Sequence, residues 1–534
     1  MSRQSLLNTG KRIVVLGGGL SGLSFAHYLR IFLKHHKKSD TIRKITLIEA
    51  NDYLGGSIKS NVFDDNTVHE VGPRSVRMSG YKANNTVGLL EQMGLGDQIL
   101  SVTPKKASGR ERYVYREGKF WRVPTELALI FKKLPASETR LVSILMRDLR
   151  QGKMDLSKYP HNDPPLYDFI KFRFGAEAAE AIIDPVLRGI SAGDCRHYST
   201  RGFLGTSLDK EQKYGSFIKS VFKPPLQEFE KDDLFLSDFS SSEALKKLHA
   251  DRAVAFNVRP GLQTLPVHLC NSLLNNNDDD VMAIYNRTRG ISVKFNGDQI
   301  MDEDESQAPC TVVVETVDGD RVDLDCDHIV AALPANQLTT MLRSKDSIVG
   351  EPQMEALDFA TKIPHCPVGC VTLEYQNLDI KQPELFGSFG FLTHSKAGSR
   401  LLGVSFDSAV FPGHDSRPDR FRLTCMMGGA WAEEVFGTSS MDSVSGAQME
   451  QIALEEVSKL LDLNDEPVRV SSYMWKTGIA QYRPGHVAQV AAMREKMKSL
   501  NLPVTLLGQS YDGVAVNDVL YSARIAADKF AKSL

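Results

Sequence analysis

Residues 12–22, RIVVLGGGLSG, constrain the fold more than any other stretch of the chain. Ile13, Val14, Val15 and Leu16 form a short apolar run. Gly17, Gly19 and Gly22 follow in G-x-G-x-x-G order, before the helically spaced LSFAHYLRIFLK. Strand, tight turn and helix in that order deliver backbone N–H groups and the positive end of a helix dipole to a point where a side chain would block a pyrophosphate. Gly17, Gly18, Gly19, Leu20, Ser21 and Gly22 are therefore candidate dinucleotide contacts. A second apolar strand, Lys44 to Ile48, ends at Glu49 and Ala50, where a carboxylate can accept hydrogen bonds from ribose hydroxyls. Glu49 lies 27 residues beyond Gly22, and the basic loop 34–44 accounts for the extra length. Capping of a strand end is the plain alternative for Glu49.

A chain of 534 residues exceeds what one hydrophobic core supports, so two or three domains are expected. Its 64 basic and 66 acidic residues nearly cancel, which removes a global case for nucleic acid. Seven cysteines without a Cys-x-x-Cys pair read as reduced thiols filling cores, with no metal site. No apolar run reaches the ~18 residues of a transmembrane helix. The N-terminal segment has no secretory pattern, and its Arg3, Lys11 and Arg12 without an acid suit an organellar address.

In chain order, 84–100 reads as a helix that stops at Gly94, and 110–124 as an aromatic hairpin turning at Glu117-Gly118. The stretch 121–150 is amphipathic and basic-edged, suited either to an anionic membrane surface or to packing on its own domain. Helices over 165–194 are expected to close at Gly189, with a new turn or helix at Asp184-Pro185, and 223–251 reads as a polar surface insertion. A helix after Gly261, one strand over 281–295, a hairpin across Asp318-Gly319 and a buried strand from Ile329 follow. Alternating segments over 364–470 suggest a mixed sheet, the wall of a pocket for a large apolar ligand or an ordinary sandwich core. A last strand, Val504 to Leu507, leads through Gly508 and Gly513 into a final helix. The start of that helix is placed to stabilise negative charge.

The continuations EANDYLGGS at 49–57 and HEVGPRSVR at 69–77 resemble the flavin-binding amine-oxidase superfamily, which implies FAD as the dinucleotide. The resemblance assigns Ser57, Gly72, Pro73, Arg74 and Ser75 to loops beside the cofactor. It assigns Thr288 to adenine, with an ordinary sheet position as the alternative, Trp475 to the cofactor, and Gly513, Val514, Ala515 and Val516 to the flavin end. FGFL at 389–392, LLGVSFDSAVFP at 401–412 and IAQYRPGH at 479–486, with GPRSVR at 72–77 and SYDGVAVND at 510–518, narrow it to the protoporphyrinogen oxidase family. That likeness implies a fold of α/β plus α+β type in three parts. They are a Rossmann-like discontinuous FAD domain of glutathione-reductase and amine-oxidase type (1–90, 252–342 and 471–534), a helical membrane-binding domain (91–251) and a mixed-sheet substrate domain (343–470).

The same resemblance implies oxidation of protoporphyrinogen IX to protoporphyrin IX, with O2 reoxidising FAD and yielding H2O2. Arg112 is expected to pair with a propionate, Phe389, Leu392 and Met426 to clamp the tetrapyrrole, and the Gly390 carbonyl to face pyrrole N–H groups. Met426 stands where some relatives carry an aromatic residue, which loosens that clamp. No side chain is assigned as a catalytic acid or base, because hydride transfer to flavin needs the reacting carbon held in a dry pocket. Peripheral attachment to anionic lipid on the mitochondrial inner membrane, facing the intermembrane space, is a further expectation. The resemblance leaves room for a homodimer and a ferrochelatase contact. Another amine oxidase, a polyene desaturase and a non-catalytic FAD-fold binding protein are the competing readings.

Overall fold

The computed structural model describes residues 10–123, 133–134, 136–223, 230–232, 234, 242–275, 281–296 and 308–534. Five parallel strands form its central sheet, in the order Met282–Tyr285, Ile42–Ile48, Lys11–Leu16, His328–Ala331, Val504–Leu506. Val14 stands between Thr46 and Ile329, so the first apolar run of the sequence is an interior strand. Alternate side chains leave a strand on opposite faces. Ile13 and Val15 enter one core with Phe25, Leu29, Leu520 and Phe530, while Val14 and Leu16 enter another with Val293, Val312 and Ile329. Burial on both faces is why the run is continuously apolar rather than alternating. Helices Leu20–His35 and Val516–Ser533, from the two ends of the polypeptide, cover the first face together.

The strand expected over 281–295 is two strands. Met282–Tyr285 extends the parallel sheet, and Thr288–Phe295 pairs antiparallel with Cys310–Thr316, which pairs with Arg321–Cys326. Arg287, at φ 51°, makes the break between them, a left-handed residue that hydrophobic spacing does not reveal. The helix expected to close at Gly189 runs on to Ser191 and ends at Ala192 with φ 51°. Gly189 is an interior contact instead, since a Cβ there would come within 2.2 Å of a Leu392 methyl.

A seven-stranded sheet runs in the order Arg469–Ala480, His365–Gln376, Arg420–Gly428, Leu401–Ser405, Gly390–Thr393, Tyr113–Arg116, Lys119–Arg122. It draws strands from 113–122 and 469–480, which sequence grouping put with the helical and dinucleotide segments. The 113–122 hairpin turns on Glu117 and Gly118 at φ 53° and 74°, the doubly positive geometry that matches strand twist.

The helical segment contains Leu141–Arg150, Leu166–Phe174, Asp184–Ser191, Thr200–Leu204, Ser207–Tyr214, Phe217–Val221 and Glu243–Ala250. Fully buried Arg173 ties it together through Asp148 at 3.5 Å and Glu211. Buried Asp163 accepts from Ser199 Oγ at 2.6 Å, Arg201 N at 3.0 Å and Gly485 N at 2.8 Å, fastening this segment to the chain that leads back to the dinucleotide sheet. Residues 124–132 and 135 of the basic stretch 121–150, residues 224–229, 233 and 235–241 of the insertion 223–251, and residues 1–9 of the N-terminal segment lie outside the described residues. No helix among the described residues is long and apolar enough to cross a membrane.

Candidate active site

A cleft of about 830 Å³ opens at the carboxyl ends of the parallel strands. Gly17, Gly19, Leu20, Ser21, Glu49, Ala50, Ser57, Pro73, Thr288, Trp475, Val514 and Val516 all line it. Residues near 17 and near 514 thus share one cavity although about 500 positions separate them. Gly17 has φ 104°, and a Cβ on it would come within 2.6 Å of the Ala332 carbonyl, so only glycine makes this turn without displacing the next strand. Glu49 holds the turn from below: its carboxylate accepts from Gly18 N at 2.8 Å and from Asn51 N and Nδ2 at 2.8 and 2.6 Å. Each carboxylate oxygen has two acceptor positions, so these bonds leave room for a ribose hydroxyl.

Gly18, Gly22, Gly72, Arg74, Ser75, Gly513 and Ala515 support the cleft from positions behind or beside its wall. Gly22 packs behind Gly17, and Gly72 packs on the Ser57 carbonyl, each too close for a Cβ. Arg74 presents buried Nε and Nη2 atoms with no hydrogen-bond partner among the described residues, while its Nη1 lies 3.1 Å from Met426 Sδ. A buried guanidinium left in that state calls for an electronegative ligand atom. Ala515 gives the last helix no side-chain cap, which leaves the N–H groups of Val516 and Asn517, without a partner among the described residues, to meet negative charge. These features fit a flavin dinucleotide: a cradle for phosphate at 17–22, an acid at the ribose position, and a helix start at the far end.

The same wall includes residues that motif reading passed over. Tyr53 and Tyr473 meet through their hydroxyls at 3.3 Å, and Lys59 lies 4.5 and 4.6 Å from their two ring centroids. Burial, then the Tyr473 bond, pushes the Tyr53 hydroxyl pKa well above its usual range. The Trp475 ring meets Tyr473 at 4.3 Å between centroids, tilted by 46°, and donates from Nε1 to the Val71 carbonyl at 2.6 Å, joining the seven-stranded sheet to the 72–75 loop. Leu333, Pro334, Gln337, Thr340 and Met341 also line the cleft. Their one sequence signal is that they follow a buried parallel strand, at whose carboxyl end such sheets bind ligands.

The proposed substrate residues sit on the seven-stranded sheet and at its margin. Leu392 is paired with Gly403, Gly403 with Met426, Met426 with Cys370, and Cys370 with Tyr473. Directly opposed residues share a face, so this row runs across the sheet from Leu392 and Met426 to the Tyr473 wall of the cleft. Gly390 opposes Ser405 at φ 138°, and a Cβ there would come within 2.1 Å of the Val404 carbonyl. Phe389 packs beside Val102, Ala255, Val410 and Phe411, and the Arg112 guanidinium lies 4.2 Å from its ring centroid. Arg112 Nη1 donates to the Ser108 and Glu111 carbonyls, both at 2.9 Å, and Arg112 has no carboxylate partner among the described residues. Burial, then the charge of Arg77, lowers the Arg112 pKa to about 10. It remains a cation at neutral pH.

Residues 20–530 match the family described as flavin containing amine oxidoreductase. The chain belongs to that family. It is a flavin-dependent oxidoreductase, and FAD is its cofactor. The protoporphyrinogen oxidases of Bos taurus and Homo sapiens are each 28% identical over 523 residues, covering 97% of this chain and 98% of theirs. The protoporphyrinogen oxidase of Dictyostelium discoideum is 23% identical, covering 96% of this chain and 98% of its own. Among solved structures, an Exiguobacterium sp. 255-15 protein superimposes with a TM-score of 0.70 at 20% identity, covering 98% of this chain and 99% of that one. Cyclohexylamine oxidase from Brevibacterium oxydans IH-35A does so at 0.61 and 13%, covering 98% and 99%. These two likenesses establish the fold.

Proposed function

We propose that this enzyme oxidises protoporphyrinogen IX to protoporphyrin IX with O2 as terminal acceptor and H2O2 as the second product. The observation that carries the reading is the Leu392–Gly403–Met426–Cys370–Tyr473 row, a largely apolar strip of one sheet face that ends at Tyr473 in the wall of the cofactor cleft, together with Arg112, a cation with no carboxylate partner among the described residues. A flat tetrapyrrole needs such a surface, and its propionates need a guanidinium at the margin. The animal and Dictyostelium relatives named for this reaction, similar over nearly their whole length, support the same reading.

Bound FAD supplies the hydride acceptor. The chain's own part is to bind and orient: Leu392 and Met426 press on the macrocycle, Arg112 fixes a propionate, and the surrounding core excludes water. No acid–base pair is assigned. The enzyme is further read as peripheral on the inner mitochondrial membrane, on its intermembrane-space side. Helix Leu141–Arg150 exposes Met146 and Leu149 between Arg140, Arg147 and Arg150, and Phe222 is 83% exposed between Lys219 and Lys223.

Anaerobic addition of protoporphyrinogen to the flavoprotein tests the activity. The flavin absorbance should bleach, and porphyrin fluorescence should rise in step. A flavin that stays oxidised with protoporphyrinogen but bleaches with an amine or a polyene assigns the chain to another branch of the family.

A further inference from the structure

Arg112 is not the only guanidinium at the margin of this surface. The three-stranded sheet of Val76–Arg77, Ala255–Val258 and Ile99–Val102 sets Arg77 directly opposite Ala255, and Ala255 directly opposite Val102. Opposed residues of antiparallel strands project from one face, so Arg77, Ala255 and Val102 form a row. Ala255 and Val102 are buried in the cluster that receives Phe389, the ring on which Arg112 lies. Arg77 therefore extends from the exposed end of a row whose other members support the Arg112–Phe389 pair.

Neither guanidinium has a carboxylate partner among the described residues. Arg77 is exposed, and its side chain has no ion pair or hydrogen bond among the described residues; Arg112 donates only to main-chain carbonyls. The charge of Arg77 bears on Arg112 and contributes to lowering its pKa. Two like charges held this way repel, and the scaffold keeps them there. The Arg77 carbonyl accepts from Asn517 Nδ2 at 2.8 Å and Met78 N donates to Val254 O at 3.0 Å, so the Arg77 backbone is tied on both sides. A ligand bearing two carboxylates relieves the repulsion twice, whereas a monoacid relieves it once.

We propose that Arg77 is a second carboxylate anchor, so that Arg77 and Arg112 together select tetrapyrroles carrying a pair of propionates. This inference rests on the porphyrinogen reading above and makes it more specific. Arg77 acts on binding and orientation, and no covalent step involves it. Met426, Leu392 and Phe389 then read the ring, and the two arginines read the edge from which both propionates extend.

The test uses full-length holoenzyme: wild type, Arg77→Ala, Arg77→Lys and Arg112→Ala. The probes are protoporphyrin IX and its dimethyl ester, with binding followed by fluorescence and turnover measured with protoporphyrinogen IX. Retained flavin absorbance checks that each variant is folded. Arg77→Ala should weaken diacid binding about fivefold, the scale of one exposed charge pair, and raise KM more than it lowers kcat. It should leave the dimethyl ester's affinity close to wild type, and Arg77→Lys should recover most of the diacid affinity. Equal diacid affinity in wild type and Arg77→Ala overturns the inference while wild-type turnover leaves the porphyrinogen reading standing. Equal weakening of diacid and ester also overturns it, as does a loss confined to co-sedimentation with anionic vesicles. A wild-type holoenzyme that neither binds porphyrin nor oxidises protoporphyrinogen overturns the function, and this inference with it.

Discussion

Removal of one hydroxyl, by Tyr482→Phe, tests whether the loop 508–513 governs cofactor binding. The Tyr482 hydroxyl donates to the Gln509 carbonyl at 2.6 Å and accepts from Gly513 N at 2.7 Å, bridging the two ends of that loop. The ring is 3% exposed, stacked on His486 at 3.8 Å and 9° and on Tyr198 at 6.2 Å and 18°. Phenylalanine keeps that stacking and leaves one buried acceptor and one buried donor without their partner. At about 1–2 kcal/mol for each group, the loss is about 2–4 kcal/mol. Gly508, Gln509 and Val514 line the cleft, so cofactor binding has to restore the loop's order. If half of that loss falls on binding, the FAD Kd rises about fivefold to thirtyfold. Flavin release measured by fluorescence during dilution gives the Kd, and denaturant unfolding of the apoprotein gives the remainder. Tyr511→Phe is the control, because the Tyr511 hydroxyl is buried with no hydrogen-bond partner among the described residues. Its removal should be neutral or stabilising. Unchanged FAD affinity and stability in Tyr482→Phe, or an equal loss in Tyr511→Phe, would refute the reasoning.

Four further outcomes are expected. Glu49→Ala takes a charged acceptor from Gly18 and Asn51 and should lower FAD affinity at least about tenfold by equilibrium dialysis. Gly390→Ala puts a Cβ within 2.1 Å of the Val404 carbonyl at φ 138°, and should cost about 2–4 kcal/mol in urea unfolding. His27, His328, His365, His414 and His486 have pKa values lowered by burial from 6.5 to about 4, so the fold holds them neutral. Stability from these groups is complete above pH 6.5 and falls by up to about 1.4 kcal/mol per histidine per pH unit on acidification toward 4, which an unfolding series from pH 7.5 to 5 should record as a falling midpoint. Met146→Glu with Leu149→Glu should reduce co-sedimentation with anionic liposomes at low salt, without loss of flavin absorbance.

Local patterns made the dinucleotide end of the protein legible. The run Ile13–Leu16 and the glycines after it could form only a buried strand and a tight turn, because both faces of that strand are packed and a Cβ at position 17 meets the neighbouring strand. The aromatic hairpin and the final helix were readable on the same grounds, since their turn residues and apolar spacing are properties of contiguous chain. Where long-range pairing decides, local pattern is silent. Arg287 divided one expected strand between two sheets, and Gly189 proved to be a packing contact for Leu392 rather than a helix end. The hairpin 113–122 joined the substrate sheet at Gly390–Thr393 across more than 260 residues of intervening sequence, and the strand Arg469–Ala480 joined it at His365–Gln376 across about 90.

By itself, then, the sequence determined which segments bend, which are buried and where phosphate can approach a backbone. Only the tertiary structure places Lys59 against Tyr53 and Tyr473, buries the Nε and Nη2 atoms of Arg74 with no hydrogen-bond partner among the described residues, and sets Arg77 in the row that supports Phe389 and Arg112. The physical reason is range. Turn geometry and hydrophobic periodicity act over a few residues, whereas charge and ring contacts depend on which distant strands the core brings into register.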